Sequence, residues 1–164
     1  MLKILISGKK FVHYIKIHTM QAFLPYPNFI RSVQSLDNKR LGKQRIEAMQ
    51  IINILDGKQT SAGWKNHPAV KMWVGHTNSL KYYCNCCIDE WIKRGFKNTM
   101  KIYDVDHQNE DPWWMGNEDL HRAMRSRLIE KDEVYYLPKF PNDKGFNDSK
   151  YFWPVMETKT FRII

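Results

Sequence analysis

Chemistry first gathers in this sequence around Glu47. If residues 37–56 are helical, the positions three, four and seven before it are Gln44, Lys43 and Arg40, so one carboxylate shares a face with two cations. A carboxylate so placed could act as general acid or base beside a bound phosphodiester. The same spacing also fits an ordinary exposed Lys43–Glu47 pair. Further along, Arg127 and Lys131 stand four apart, which puts both on one helical face, where a guanidinium fork and an ammonium can straddle successive phosphates. A solvated surface helix would carry the same pattern.

Three other groups invite a chemical reading. Tyr151, Phe152 and Trp153 follow a lysine and a loop; they could stack on unpaired bases or simply cover the core. Asp104, Asp106, His107, Glu110 and Asp111 have the oxygen chemistry of a hard-metal nuclease but no recognisable ligand spacing, which favours an acidic surface loop. Cys84, Cys86 and Cys87 crowd into four positions of an apolar helical stretch. An odd number packed so closely is no disulfide framework, so the expectation is helix-core thiols and a reducing, intracellular compartment. His67 and His121 sit at helix ends, where capping is the commoner role.

Helical periodicity must position these groups. Asp37 stands as an N-cap ahead of Leu41, Ala48, Met49, Ile52 and Leu55, one stripe ending near Asp56-Gly57. His67 to Val74 begins with Pro68 at a first helical position and reads as a short helix ended by Gly75. Thr77 to Arg94 carries a wide apolar stripe closed by Gly95. Asn117 to Asp132, capped by Asn117 or Asp119, turns Leu120, Met124 and Leu128 inward and leaves Arg122, Arg125 and Arg127 on its flanks. No alternation long enough to seed a sheet is visible. The expected fold is mainly α: a single compact helical domain of about four helices over 20–157, an N-terminal extension at 1–19, and an aromatic, irregular C-terminal tail ending in 158–164.

Charge sharpens the picture. The chain has 164 residues and a formal net charge of +9, a length that excludes a large multidomain enzyme. No apolar run approaches the roughly 20 residues of a membrane span. Without the four lysines of residues 1–19 the net charge is +5, and Lys39–Glu47 with Arg122–Lys131 together hold a net +6. Essentially all the excess charge of the core therefore lies on two predicted helices, a distribution that points to nucleic acid rather than to a generally basic surface.

At this point several blocks, in order, resemble a known family. They are MQAFLPYPNF from Met20, LDNKRLGKQRIEA from Leu36, HPAVKMWVG from His67, EWIKRGF from Glu90, RSRLIEKD from Arg125 and YFWPV from Tyr151. Together they are similar to the pyrimidine-dimer DNA glycosylases of the phage endonuclease V type. The resemblance implies a compact all-α repair fold that cuts the glycosidic bond at ultraviolet photoproducts and nicks the abasic site without metal or cofactor. Its partner would be duplex DNA with ultraviolet lesions or abasic sites, bound by a monomer.

Residue by residue, the resemblance implies that Glu47 is the catalytic glutamate and that Arg127 and Lys131 hold the lesion-bearing strand. It extends DNA contact to Arg40 and to the aromatic cluster with Tyr151 and Trp153, while Ile46 replaces an Arg of the phage enzyme; the two basic segments add Lys43, Arg45, Arg122 and Arg125 as candidate DNA contacts. The nucleophile would be an α-amine, whose pKa of about 7.7 to 8.0 leaves far more of it neutral than a lysine at about 10.4. The family's start falls at Met20, so the expected amine is that of Met20, or of Gln21 if Met20 is removed, in a chain that begins there. Two other readings stay open from sequence: a non-catalytic nucleic-acid-binding module on the same scaffold, and a metal-dependent nuclease using residues 104–111.

Overall fold

A computed structural model describes residues 20–59, 62–108 and 110–164; the expected extension at 1–19 lies outside them. Three helices carry the architecture: α2 (Asn38–Leu55), α5 (Thr77–Lys93) and α6 (Glu118–Lys131). Shorter helices join them: α1 (Phe29–Ser35), α3 (Ala62–Lys65), α4 (Pro68–Lys71) and α7 (Glu133–Tyr136). No helix among the described residues is long and apolar enough to cross a membrane.

The helix starts follow their capping chemistry. Asp37 accepts from the Lys39 and Arg40 amides at the head of α2, and Asn117 accepts from Leu120 at the head of α6. His67 Nδ1 accepts from the Ala69 amide ahead of Pro68, so it caps α4. Packing of α2 on α5 is the main helix contact, and it is close at Gly42: a Cβ there would stand 3.0 Å from the Trp91 ring, which would have to shift to admit it. Trp73, Trp114, Tyr83 and Tyr136 are fully buried at the centre, with Trp73 edge-on to Trp114 at 4.9 Å between centroids. Cys84, Cys86 and Cys87 are free and buried in α5; burial pushes the Cys84 thiol up to about 12, which leaves it inert.

The C-terminal region corrects the expectation of an irregular tail. Phe152–Val155 (β1) and Thr160–Ile163 (β2) pair antiparallel, with Phe152 opposite Ile163 and Val155 opposite Thr160. The division expected at residue 157 therefore falls in the turn of this hairpin. Each strand has four residues, too few for alternation to announce them; β1 packs against α4 and α6, and β2 is held through its pairing with β1.

The segment before α1 matters most for the site. Residues 20–24 are buried and form neither helix nor strand, so no ladder pairs with them. Side chains supply the missing partners instead. Gln44 of α2 donates to Gln21 O and accepts from Phe23 N–H. Tyr83 of α5 donates to Phe23 O. From α6, His121 Nδ1–H donates to Leu24 O at 2.7 Å, its Nε2 being taken as acceptor by Gly116 N–H, and Arg125 donates to Pro25 O at 2.8 Å. Three helices thus fix where Met20 lies.

Candidate active site

Glu47 projects from the middle of α2 and is 6% exposed. Gln44 Nε2 donates to its Oε2 at 2.8 Å, and Lys43 Nζ lies 3.4 Å from its Oε1. Two clefts meet at this carboxylate. One, of about 340 Å³, is lined by Met20, Lys43, Ile46, Gln50 and Trp64 together with Glu47. The other, of about 200 Å³, is lined by Phe23, Lys39, Arg40, Lys43 and Lys131 together with Glu47. Burial raises the Glu47 pKa above its ordinary value, and Lys43, the Gln21 backbone and Lys131 pull it back. Lys131 moves the other way: burial and the neighbouring Arg127, Lys43 and Arg40 make its ammonium easier to deprotonate.

Several predicted residues converge on this face. Lys43 is half exposed at the rim. Lys131 reaches back over the Phe23 ring, 5.7 Å from its centroid. Arg127 pairs with Glu130 at 2.6 Å and covers the Tyr151 ring at 4.9 Å. Arg40 lines the smaller cleft, but its guanidinium is committed to protein: it donates to Lys131 O at 2.8 Å and pairs with Asp37 and Asp132. It acts as a strap that closes the end of α6 and sets the place of Lys131.

Other residues expected at DNA are used elsewhere. Arg45 points away from Glu47, 4.0 Å over the Trp91 ring and bonded to Asn98. Arg122 lies 4.0 Å over Phe146 and pairs with Asp143 at 2.9 Å. Arg125 is 8% exposed and spends its guanidinium on Asp143, Glu118 and Pro25 O. Tyr151 and Trp153 are buried, Trp153 edge-on to His67 at 6.2 Å, so neither ring is a free stacking platform. Glu118 stands seven before Arg125 on the same helix, but the buried acid that commits Arg125 inward, Asp143, is brought to it by the fold rather than by the helix repeat.

Arg125 gives a clear stability test. Arg125→Ala leaves the buried Asp143 with Arg122 alone and takes the donor from Pro25 O, so it should cost about 2–3 kcal/mol in unfolding free energy, read by denaturant titration. Folded Arg125→Ala should keep the salt dependence of DNA binding. A flatter salt slope would mean that Arg125 meets phosphate after all.

Sequence reasoning missed three groups of this site. Lys39 lines the smaller cleft. Trp64 walls the larger one and packs 5.4 Å from His67. Gln44 is 1% exposed and touches both the lead-in segment and Glu47. Its position three before Glu47 was the available signal; its partners at Gln21, Phe23 and Tyr83 were not readable locally.

The acidic loop is placed apart from these clefts. Asp106 is tied to Asn78 at the start of α5, and His107 packs on Tyr82. Among the described residues no three His, Cys, Asp or Glu side chains gather as a metal-binding group.

The family model for pyrimidine dimer DNA glycosylase matches residues 20–104, just over half of the chain. The chain belongs to this family. Its match opens at Met20, on the wall of the Glu47 cleft, and spans α1 to α5; α6 and the hairpin follow it. Neither the comparison with curated proteins nor that with solved structures gives a match. Family membership implies a DNA glycosylase, acting in DNA repair on DNA that contains pyrimidine dimers.

Proposed function

We propose that this glycosylase also nicks the abasic site it creates, through an imine formed by the α-amine of Met20, with Glu47 as acid and base. The observation that carries the reading is the shared cleft: Met20 and Glu47 line one cavity, with Lys43 beside them and Lys131 across the carboxylate. The amine attacks C1′ of the deoxyribose and the bond from C1′ to the base breaks. Proton delivery to the ring oxygen then opens the sugar to the imine. The Glu47 carboxylate takes a proton from C2′, and the C3′–O bond breaks with the phosphate as leaving group. Lys43, Lys131 and Arg127 hold the flanking phosphates, and none of these steps calls for a metal.

This chemistry needs a free amine at Met20, which Thr19 occupies as a peptide bond in the full chain. The active form therefore begins at Met20 or, after methionine removal, at Gln21. The same peptide bond favours a second reading for the full chain: a lesion-binding protein on this scaffold without catalysis.

A gel assay of protein beginning at Met20, on irradiated, abasic and undamaged duplexes with EDTA present, tests the proposal. Cleavage of the first two and not the third is expected. Equal cleavage of undamaged DNA, or loss of cleavage in EDTA, would overturn it. For binding, Lys131→Ala should weaken affinity and flatten the slope of log affinity against log salt by about one unit. An unchanged slope would mean that Lys131 meets no phosphate.

A further inference from the structure

Gln44 makes every hydrogen bond its amide can make, and each partner belongs to the site or to the segment that builds it. Nε2 donates to Gln21 O at 2.6 Å and to Glu47 Oε2 at 2.8 Å. Oε1 accepts from Phe23 N–H at 2.8 Å and lies 2.7 Å from Tyr83 Oη, whose single proton it shares with Phe23 O at 3.0 Å. The orientation of the amide is fixed by these partners: a flip would set the NH₂ against the Phe23 N–H and the carbonyl against two acceptors. No other uncharged side chain of this length offers two donors and two acceptor sites at once. Its carboxylate isostere would add a charge next to Glu47, and an apolar isostere would orphan buried backbone groups at residues 21 and 23.

We propose that Gln44 is a positioning residue: one buried amide holds the Glu47 carboxylate and the Met20–Phe23 backbone in a single register, so that the amine and the acid/base arrive at the same sugar. This rests on the imine reading above and adds the part that aligns it. The chain of contacts is short. Met20 is one residue from the Gln21 carbonyl that Gln44 holds, and Glu47 is one helical turn from Gln44 itself. Tyr83, from α5, locks the amide from behind by also bonding Phe23 O. The other titratable groups facing Glu47 are Lys43 from its own helix, Tyr83 from α5, Lys131 from α6 and Tyr151 ahead of β1. The Gln21 backbone also acts on Glu47 directly and Tyr83 also reaches Phe23 O, but Gln44 is the side chain that joins the carboxylate to both the Gln21 and the Phe23 backbone.

The experiment compares Gln44→Glu and Gln44→Met with the unsubstituted protein, all beginning at Met20. It reads single-turnover nicking of an abasic duplex against pH, DNA affinity, thermal melting, and the titration of Glu47 by carboxyl carbon NMR without DNA. Gln44→Glu keeps the shape and sets two carboxyl groups around one proton. The Glu47 titration and the acid limb of the rate profile should then both move up by about one pH unit or more. Gln44→Met should nick about 100-fold more slowly at every pH, the scale of a misplacement near 1 Å, with DNA affinity changed by less than about twofold.

A merely structural Gln44 predicts otherwise: rates that follow the folded fraction measured by melting, and a Gln44→Glu profile that superimposes on the unsubstituted one. Either result would overturn the proposal. If the unsubstituted protein neither nicks nor traps, the imine reading fails. The NMR titration then still decides whether Gln44 governs Glu47.

Discussion

Glu47→Gln should lower the nicking rate on an abasic duplex by about 10²- to 10⁴-fold, the range for a positioned general acid or base, while DNA affinity stays within about twofold. The substitution keeps the shape, and the Gln44 Nε2 donor still finds an oxygen at position 47. What it removes is the proton acceptor for C2′. It should also leave the fold at least as stable, which separates loss of chemistry from loss of structure.

The sign of that stability effect follows from burial. Glu47 titrates above its ordinary value in the folded protein, so between the unfolded and folded values the native state binds more protons than the unfolded one. Stability then falls as pH rises through that window, and at neutral pH the ionised Glu47 is a cost. Glu47→Gln should abolish this fall and melt at or above the unsubstituted protein at pH 7, in keeping with active sites that trade stability for function. A variant that melts well below the parent, or that nicks at parental rate, would contradict the role given to Glu47.

The second large effect concerns the chain start. Protein beginning at Met20 should nick an abasic duplex at least about 100-fold faster than protein that retains residues 1–19, under single-turnover conditions at neutral pH. The reason is nucleophile chemistry. A peptide nitrogen has no available lone pair, and a lysine is protonated at pH 7 far more completely than an α-amine. Lys131 is the lysine best suited to compete, since burial and its cationic neighbours ease its deprotonation, and it sets a floor for the longer chain. Equal rates from both forms would mean that the reacting amine is not at Met20.

How much of this could be read from sequence depended on the range of each contact. α2, α5 and α6 were legible because apolar spacing, Asp37, Asn117 and the glycine at 95 are all local signals, and Gly95 does take a positive φ of 87° at its helix end. Glu47 with Lys43 was legible for the same reason. The hairpin was not, because strands of four residues owe their existence to the packing of β1 on α4 and α6. Neither was the sorting of arginines: Arg125, Arg122 and Arg45 look alike in sequence, and only the fold brings Asp143 to two of them and the Trp91 ring to the third. Gln44 lay in plain view at one turn from Glu47, yet its partners stand 21, 23 and 39 positions away along the chain. A segment bonded by side chains rather than by a sheet leaves no periodic trace.

The most direct measurement is borohydride trapping on an abasic duplex by protein beginning at Met20, with the cross-linked peptide mapped by mass spectrometry. The expected adduct is on the α-amine of Met20, or of Gln21 where Met20 is removed, and the same experiment on the chain that keeps residues 1–19 should give little adduct. An adduct on Lys43 or Lys131 in the Met20-start protein, or equal trapping by the longer chain, would contradict the assignment of the nucleophile.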